Sequence, residues 1–212
     1  YLRVAYLHEE LIYSDRLSNL SSDYVVKSLR AQARYKRTFK HGILLVTSLN
    51  LDDDVAISTS YTSQISQFRT SGLIQLNKDI GKKISLNGLL REEIVIDRYS
   101  PILPSVGLRC QMLKKTALKI NVAKSYRFPS FNDLHWNGGS TKGNPDLKPE
   151  SGWNLEGGVA YQNITKKGFS IKSEATVYYS KIRDWIIWLP DEATGSFWMP
   201  ENKKQVENTG GE

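Results

Sequence analysis

An all-β fold, a partial antiparallel up-and-down transmembrane barrel, is predicted for this chain by three observations. Runs in which apolar and polar residues alternate with period two recur from end to end, helical periodicity is weak throughout, and short and long connections alternate between the runs. The 212 residues carry 29 Lys and Arg against 22 Asp and Glu, a formal charge of +7, and 40% are hydrophobic. That composition is too apolar for disorder, and a lone cysteine, Cys110, excludes an intrachain disulfide framework and any multi-cysteine metal cluster. The longest mostly apolar stretch without charge in the first half, Ile43 to Leu51, is about half of the ~18 residues that a membrane helix needs. Helical spans are therefore out, whereas barrel strands hide their lipid-facing side in every second residue.

Ten strands are expected, at 1–13, 23–37, 42–52, 67–78, 83–95, 105–113, 116–126, 152–162, 169–188 and 205–212. The second shows the pattern plainly: Leu29, Ala31, Ala33 and Tyr35 form one side, and Arg30, Gln32, Arg34 and Lys36 the other. In the seventh, Leu118, Ile120 and Val122 oppose Lys119, Asn121, Ala123 and Ser125, and in the eighth, Trp153, Leu155, Val159 and Tyr161 oppose Asn154, Glu156, Ala160 and Gln162. Short turns are expected at Lys36 to His41, Asp79 to Lys82, Lys114 to Lys115 and Asn163 to Gly168. Long loops are expected at 14–22, 53–66, 96–104, 127–151 and 189–204. Long loops gathered at one end and tight turns at the other are the layout of an outer-membrane barrel, while a Greek-key sandwich has no reason to sort loop lengths by end.

The chain opens in strand-like sequence at Tyr1 without an initiator Met or apolar leader, and closes at Gly210, Gly211 and Glu212, where nothing marks the end of a domain. A piece of a longer protein is the expectation. Ten strands in 212 residues is about 21 residues per strand with its connection, slightly under half of a 22-stranded transport barrel. An unclosed half leaves edges whose backbone groups water or another chain must satisfy.

The densest motif lies in Val122 to Gly158, which reads VAKSYRFPSFNDLHWNGGSTKGNPDLKPESGWNLEGG. Ser125, Pro129, Leu134, Gly143, Asn144, Pro145, Leu147, Pro149, Glu150, Glu156 and Gly157 fall in the order that resembles the TonB-dependent outer-membrane receptors. In that family a strand ends in a Pro-Ser run, a loop follows, and Gly-Asn-Pro-x-Leu-x-Pro-Glu leads into the next strand. Segment 177–187 looks like the strand after it, and Val206 to Glu212 like the start of another, with Asn208, Gly210, Gly211 and Glu212 slightly off the family's spacing. The resemblance implies a ligand-gated barrel in the outer membrane of a bacterium, whose partners are membrane lipid, a small-molecule nutrient such as a ferric siderophore or cobalamin, a plug domain, and TonB. The run in 178–202 leans toward the cobalamin-receptor subgroup. Residues 1–212 are read as part of one barrel domain, with the plug and the final strands expected in the parent chain. Without the family, the motif still makes physical sense. Asn144-Pro145 and Lys148-Pro149 hold the residues before each proline extended, so that the loop descends into a strand on a fixed path, a brace at the barrel rim.

Other candidates are fewer. Asp52, Asp53 and Asp54 are expected at the mouth of an external loop, where they could contribute to a calcium site with ligands from elsewhere, although no glycine completes an EF-hand loop. Trp185, Trp188, Trp198 and Phe197 crowd one hairpin and suit an interfacial girdle or loop packing, while Trp136, Trp188 and Trp198 are the candidate ligand contacts. Arg30, Arg34, Lys36 and Arg37 alternate with apolar residues instead of forming a platform with aromatics, which fits a wet barrel interior better than nucleic acid. His8, His41 and His135 are isolated, no nucleophile elbow appears, and no enzyme activity is expected. Asn163-Ile164-Thr165 matches a glycosylation acceptor, which the bacterial origin implied by the family resemblance makes incidental. The competing reading is a soluble or surface-attached all-β glycan-binding module that uses Trp136, Trp185 and Trp188 as stacking platforms.

Overall fold

The computed structural model describes every residue except 16–19, 96–97, 165–167, 192–194 and 196. Long strands form where the sequence alternates: β1 (Leu2–Asp15), β2 (Leu20–Thr38), β3 (Ile43–Ser58), β4 (Ile65–Ile80) and β5 (Ile84–Val95). After the two-residue β6 (Arg98–Tyr99) come β7 (Leu103–Leu113) and β8 (Thr116–Arg127). A short helix α1 (Phe131–His135) and the small ladder β9 (Asn137–Gly138) and β10 (Thr141–Lys142) precede β11 (Glu150–Ile164), β12 (Ser170–Pro190) and β13 (Trp198–Gly211). All join one sheet in the order β1-β2-β3-β4-β5-β7-β8-β11-β12-β13-β10-β9, with β6 paired to β5. The ten long strands follow the chain in antiparallel pairs, and β10 meets β13 in parallel at Thr141 and Trp198.

The ten expected strands are all present, but several run longer than the sequence pattern. β3 and β4 extend through most of 53–66 and leave only 59–64 as their connection, while β12 and β13 shorten the loop expected at 189–204. The expectation that Asp52, Asp53 and Asp54 sit at a loop mouth is therefore corrected: all three lie within β3, paired to Arg30, Leu29 and Ser28 of β2. The reason is physical. Ladder hydrogen bonds to β2 and β4 continue through the three aspartates to Ala56, which is fully buried, while the run of carboxylates interrupts the apolar alternation that marks a strand. The tight end turns at Phe39–Gly42, with His41 and Gly42 at φ 64° and 71°, at Gly81, with φ 61°, and at Lys114–Lys115. The expected turn from Asn163 to Gly168, and with it Thr165 of the acceptor triplet, falls partly outside the described residues.

Register sorts the side chains into two faces. Gln32, Asn50 and Ser71 align across β2, β3 and β4 and are joined by hydrogen bonds of 2.7 and 3.1 Å, so the polar set shares one side. The opposite face carries Leu49, Ile74, Val106, Leu155 and Val177, all exposed. Along that face the apolar run ends upward at Asp53 on β3, Glu92 on β5 and Lys124 on β8, and downward at Lys78 on β4. About ten residues of each strand lie between, close to the 9–11 that a tilted barrel strand needs to cross a bilayer. Among the described residues the only buried hydrophobics are Val46, Ala56, Tyr61, Val95, Ala117, Leu147 and Ile186. That is no core for a soluble sandwich, and the apolar surface is turned outward. Among the described residues no helix is long and apolar enough to cross a membrane, which says nothing about strands.

Candidate functional site

The segment 128–149 closes on itself before it meets the wall. Ser130 caps α1 with a capping box: its backbone N–H donates to Asp133 Oδ2 at 2.9 Å, and the Asp133 N–H donates to Ser130 Oγ at 3.2 Å. The N–H of Gly143 then donates to the Trp136 carbonyl and that of Asn144 to the Asp133 carbonyl, both at 2.7 Å, which folds the chain back against the helix. Only glycine fits at 143. A Cβ there would lie 2.8 Å from backbone atoms of Leu134, His135 and Trp136.

The wall grips this unit through three charged groups. Arg127, the last residue of β8, is cross-strand partner to Glu150, the first of β11, and donates to both of its carboxylate oxygens at 2.9 and 2.7 Å. The same guanidinium lies 3.3 Å from Asp133 Oδ2, while Trp188 of β12 donates its indole N–H to Asp133 Oδ1 at 3.1 Å. Glu150 Oε1 also accepts the backbone N–H of Ile186 at 2.8 Å. Glu150 and Asp133 are 8% and 7% exposed, so two buried carboxylates are held by one half-exposed arginine and by neutral donors. Burial alone would raise the Asp133 carboxyl. Hydrogen bonds from Ser130 and Trp188 and the charge of Arg127 outweigh it and hold the group below the usual carboxylate range.

Two further anchors tie the segment to opposite parts of the sheet. On the β13 side, Asn202 accepts from the Lys148 N–H at 2.8 Å and donates to the carbonyls of Lys148 and Asp184 at 2.9 and 2.6 Å, while Asn144 donates to the Pro200 carbonyl at 3.2 Å. Asp184 sits at φ 54°, a left-handed kink in β12 that turns its carbonyl to Asn202. On the other side, Asn137 donates its N–H to the Ser60 carbonyl at 2.7 Å, and the Tyr61 hydroxyl donates to Asn132 Oδ1. Tyr61 packs edge-on against Tyr24 with centroids 5.9 Å apart, and burial, followed by its hydrogen bond with Tyr24, pushes its phenol far above the ordinary range. Seven ladders separate β3 from β13, about 34 Å of flat wall at the usual strand spacing. A single 22-residue connection touches both flanks because the sheet curls, with this segment inside the curve.

The motif residues gather here in part. Pro129, Gly143, Leu147 and Glu150 are buried, and Leu134, Asn144 and Pro149 are half-buried around them, while Pro145 is exposed. Ser125 lies one step down the wall opposite Gly152. Glu156 faces inward beside Asn121, and Gly157 faces outward between Ile120 and Val177, both far from the rim. Of the expected ligand aromatics, Trp136 directs its indole N–H to Thr141 Oγ1 at 2.6 Å and Trp188 directs its own to Asp133, so both hold the loop together. Trp198, 47% exposed, starts β13 and keeps an open face beside Phe197. Asp53 points to the opposite side of β3 from Asp52 and Asp54, and among the described residues no group of three or more His, Cys, Asp or Glu is placed to hold calcium or another metal. Arg127, Asp133 and Asn202 were not singled out by the sequence; only the Ser130-x-x-Asp133 spacing announced any part of them.

The family model for the TonB dependent receptor-like β-barrel matches residues 10–212. The chain belongs to that family. Its fold agrees with solved receptor and transporter structures at low sequence identity. The siderophore receptor PirA of Pseudomonas aeruginosa superposes with a TM-score of 0.75 at 14% identity, covering 99% of this chain and 40% of that one. The FrpB iron transporter of Neisseria meningitidis gives 0.73 at 16%, covering 99% and 37%. The Serratia marcescens hemophore receptor HasR, solved with its hemophore HasA and heme, gives 0.71 at 14%, covering 90% and 39%. The chain thus spans about two-fifths of the length of the receptors it matches, and no curated protein matches it by sequence. TonB-dependent receptor barrels reside in the bacterial outer membrane and serve as transport receptors.

Proposed function

We propose that this chain is part of the barrel wall of an outer-membrane receptor that imports a ferric chelate, with energy supplied through TonB to a plug elsewhere in the parent protein. The observation that carries the reading is the division of the wall into an outward apolar band and an inward polar face, within a chain whose family model covers residues 10–212. Lipid covers the band, and the inward face borders the plug and the solute path. The rim brace built from Arg127, Asp133 and Glu150 holds the external segment 128–149 in shape, leaving Trp198 and Phe197 as open aromatic surface for ligand. No chemical step is assigned. The iron-chelate class is favoured because the superposable receptors carry siderophore, iron and heme names; the cobalamin lean rests on the 178–202 run alone. The glycan-module reading needs a buried apolar core that the described residues do not form.

The test is uptake by cells that carry the full-length receptor as their one importer, fed radiolabelled ferric siderophores, heme or cobalamin in turn. Uptake of an iron chelate that ceases when TonB is deleted bears the proposal out. Uptake of cobalamin alone, or uptake indifferent to TonB, overturns it.

A further inference from the structure

The inward face of β1 to β5 carries a group of arginines that the rim site does not use. Arg3, Arg30, Arg34 and Arg91, together with Asp52 and Asn50, line a hollow of about 390 Å³ in the wall. Four guanidinium groups against one carboxylate leave 4 − 1 = +3 formal charges around it. Their placement follows from register: Arg30 pairs with Asp52, and Arg34 with Ser48, which continues through Leu73 to Arg91. The floor is already satisfied, since Gln32, Asn50 and Ser71 bond to one another. The cations are not all satisfied. Arg91 shares Glu93 with Arg69, and Arg34 donates to the Tyr1 hydroxyl at 3.1 Å, but Arg30 makes no hydrogen bond or ion pair among the described residues, and Arg3 only covers the Tyr1 ring.

The depth of these residues sharpens the point. Leu29, Ala31, Ala33 and Tyr35, which alternate with Arg30, Gln32 and Arg34, belong to the outward apolar band, so Arg30 and Arg34 stand at the level of the hydrocarbon and face inward, while Arg91, next to Glu92, stands at the upper edge of the band. Ionised groups at that level are costly unless they meet water or counter-charge, and rings of arginine are how pores favour anions. A guanidinium also matches a carboxylate through two parallel hydrogen bonds, which a lysine does not offer.

We infer that this hollow is a way-station for carboxylate-bearing solute on its path through the barrel. The inference rests on the reading of the chain as the wall of an importing receptor, and it names the charge class of the cargo: a chelate that presents free or iron-bound carboxylates, carried as an anion. The occupant is the solute, drawn by charge complementarity.

The experiment uses the full-length receptor in planar bilayers, with the plug unfolded reversibly by urea in the chamber, and with chloride and citrate as probes. The wild-type pore is expected to prefer chloride over potassium by about threefold, with the preference falling to near unity in the Arg30→Gln/Arg34→Gln/Arg91→Gln variant. Citrate added to one side is expected to block the wild-type current at concentrations about tenfold lower than it blocks the variant, with the three corresponding lysine changes recovering selectivity but only part of the block. Unchanged selectivity, or equal citrate block in both proteins, overturns the inference. A variant that releases its plug at lower urea while citrate block stays unchanged assigns the arginines to the plug and overturns it as well. A pore that conducts and selects as expected, in a receptor whose cells take up no iron chelate, overturns the importing-receptor reading instead, a failure distinct from the other two.

Discussion

Replacing Glu150 with alanine separates what the rim brace contributes from what the sheet supplies on its own. Two things are lost together: the paired bonds from Arg127 at 2.9 and 2.7 Å, and the acceptor for the Ile186 N–H at 2.8 Å. The Arg127 side chain is 47% exposed and is rehydrated when its partner goes, so the ion pair itself contributes no more than about 1 kcal/mol. Ile186 is 7% exposed, and a buried N–H left without an acceptor costs about 1–3 kcal/mol. The sum is about 3 kcal/mol, carried mostly by one amide, which corresponds to roughly a hundredfold in a local opening equilibrium. Hydrogen exchange of the full-length receptor in nanodiscs reads this directly at the Ile186 amide. Glu150→Ala is expected to speed exchange there by about two orders of magnitude, and Glu150→Gln, which keeps an acceptor oxygen, by about one. Amides at the tight end of β11 and β12 should keep their wild-type rates. Less than a threefold change at Ile186 in the alanine variant would refute the reasoning, because the buried acceptor would then be replaceable by water.

Three other outcomes are expected. Asp133 is held below its ordinary value, so its contribution is complete above the unfolded carboxylate value of about 3.9 and is lost as pH falls through the lower folded value; Trp188 emission should be steady from about pH 7 to 5 and change only below about 4. Gly143→Ala forces a Cβ into backbone 2.8 Å away and should open segment 128–149 to protease while leaving the heat-modifiable gel mobility of the barrel intact. Ile74→Arg, on the outward face of β4 within the apolar band, should cost about 2–4 kcal/mol and lower the yield of assembled barrel, whereas Gln75→Arg on the inward face should assemble normally.

Much of the wall was legible because its physics is local. The alternation Leu29-Arg30-Ala31-Gln32 names both the strand and its faces, and the structure places those residues outward and inward as the pattern requires. The loop placement of Asp52, Asp53 and Asp54 failed because, past the apolar band, nothing in the side chains distinguishes a ladder-bonded strand from a solvated loop. Pro145 and Pro149 were readable as turn chemistry, but the partner of Glu150 was not. Arg127 meets it through register across a 22-residue connection, and Ile186 meets it from a third strand. The short pairings of β6, β9 and β10 carry two residues each, too few for any period to show. Trp136 was readable as an aromatic in a loop, but the Thr141 hydroxyl that its indole N–H reaches was not.

The two-sided attachment of segment 128–149 bears on how a large barrel closes. With one end fixed at Ser60 and Tyr61 and the other at Pro200 and Asn202, the segment acts as a chord across an arc. A chord of set length fixes the radius of the arc it subtends. The strands between β4 and β12 are thereby held at a bend before any further strand pairs with the edge of β1 or with the part of β13 beyond Trp198 that β10 leaves open. The final seam then joins ends already near one another, at a smaller entropic cost than the same seam between the ends of a floppy ribbon.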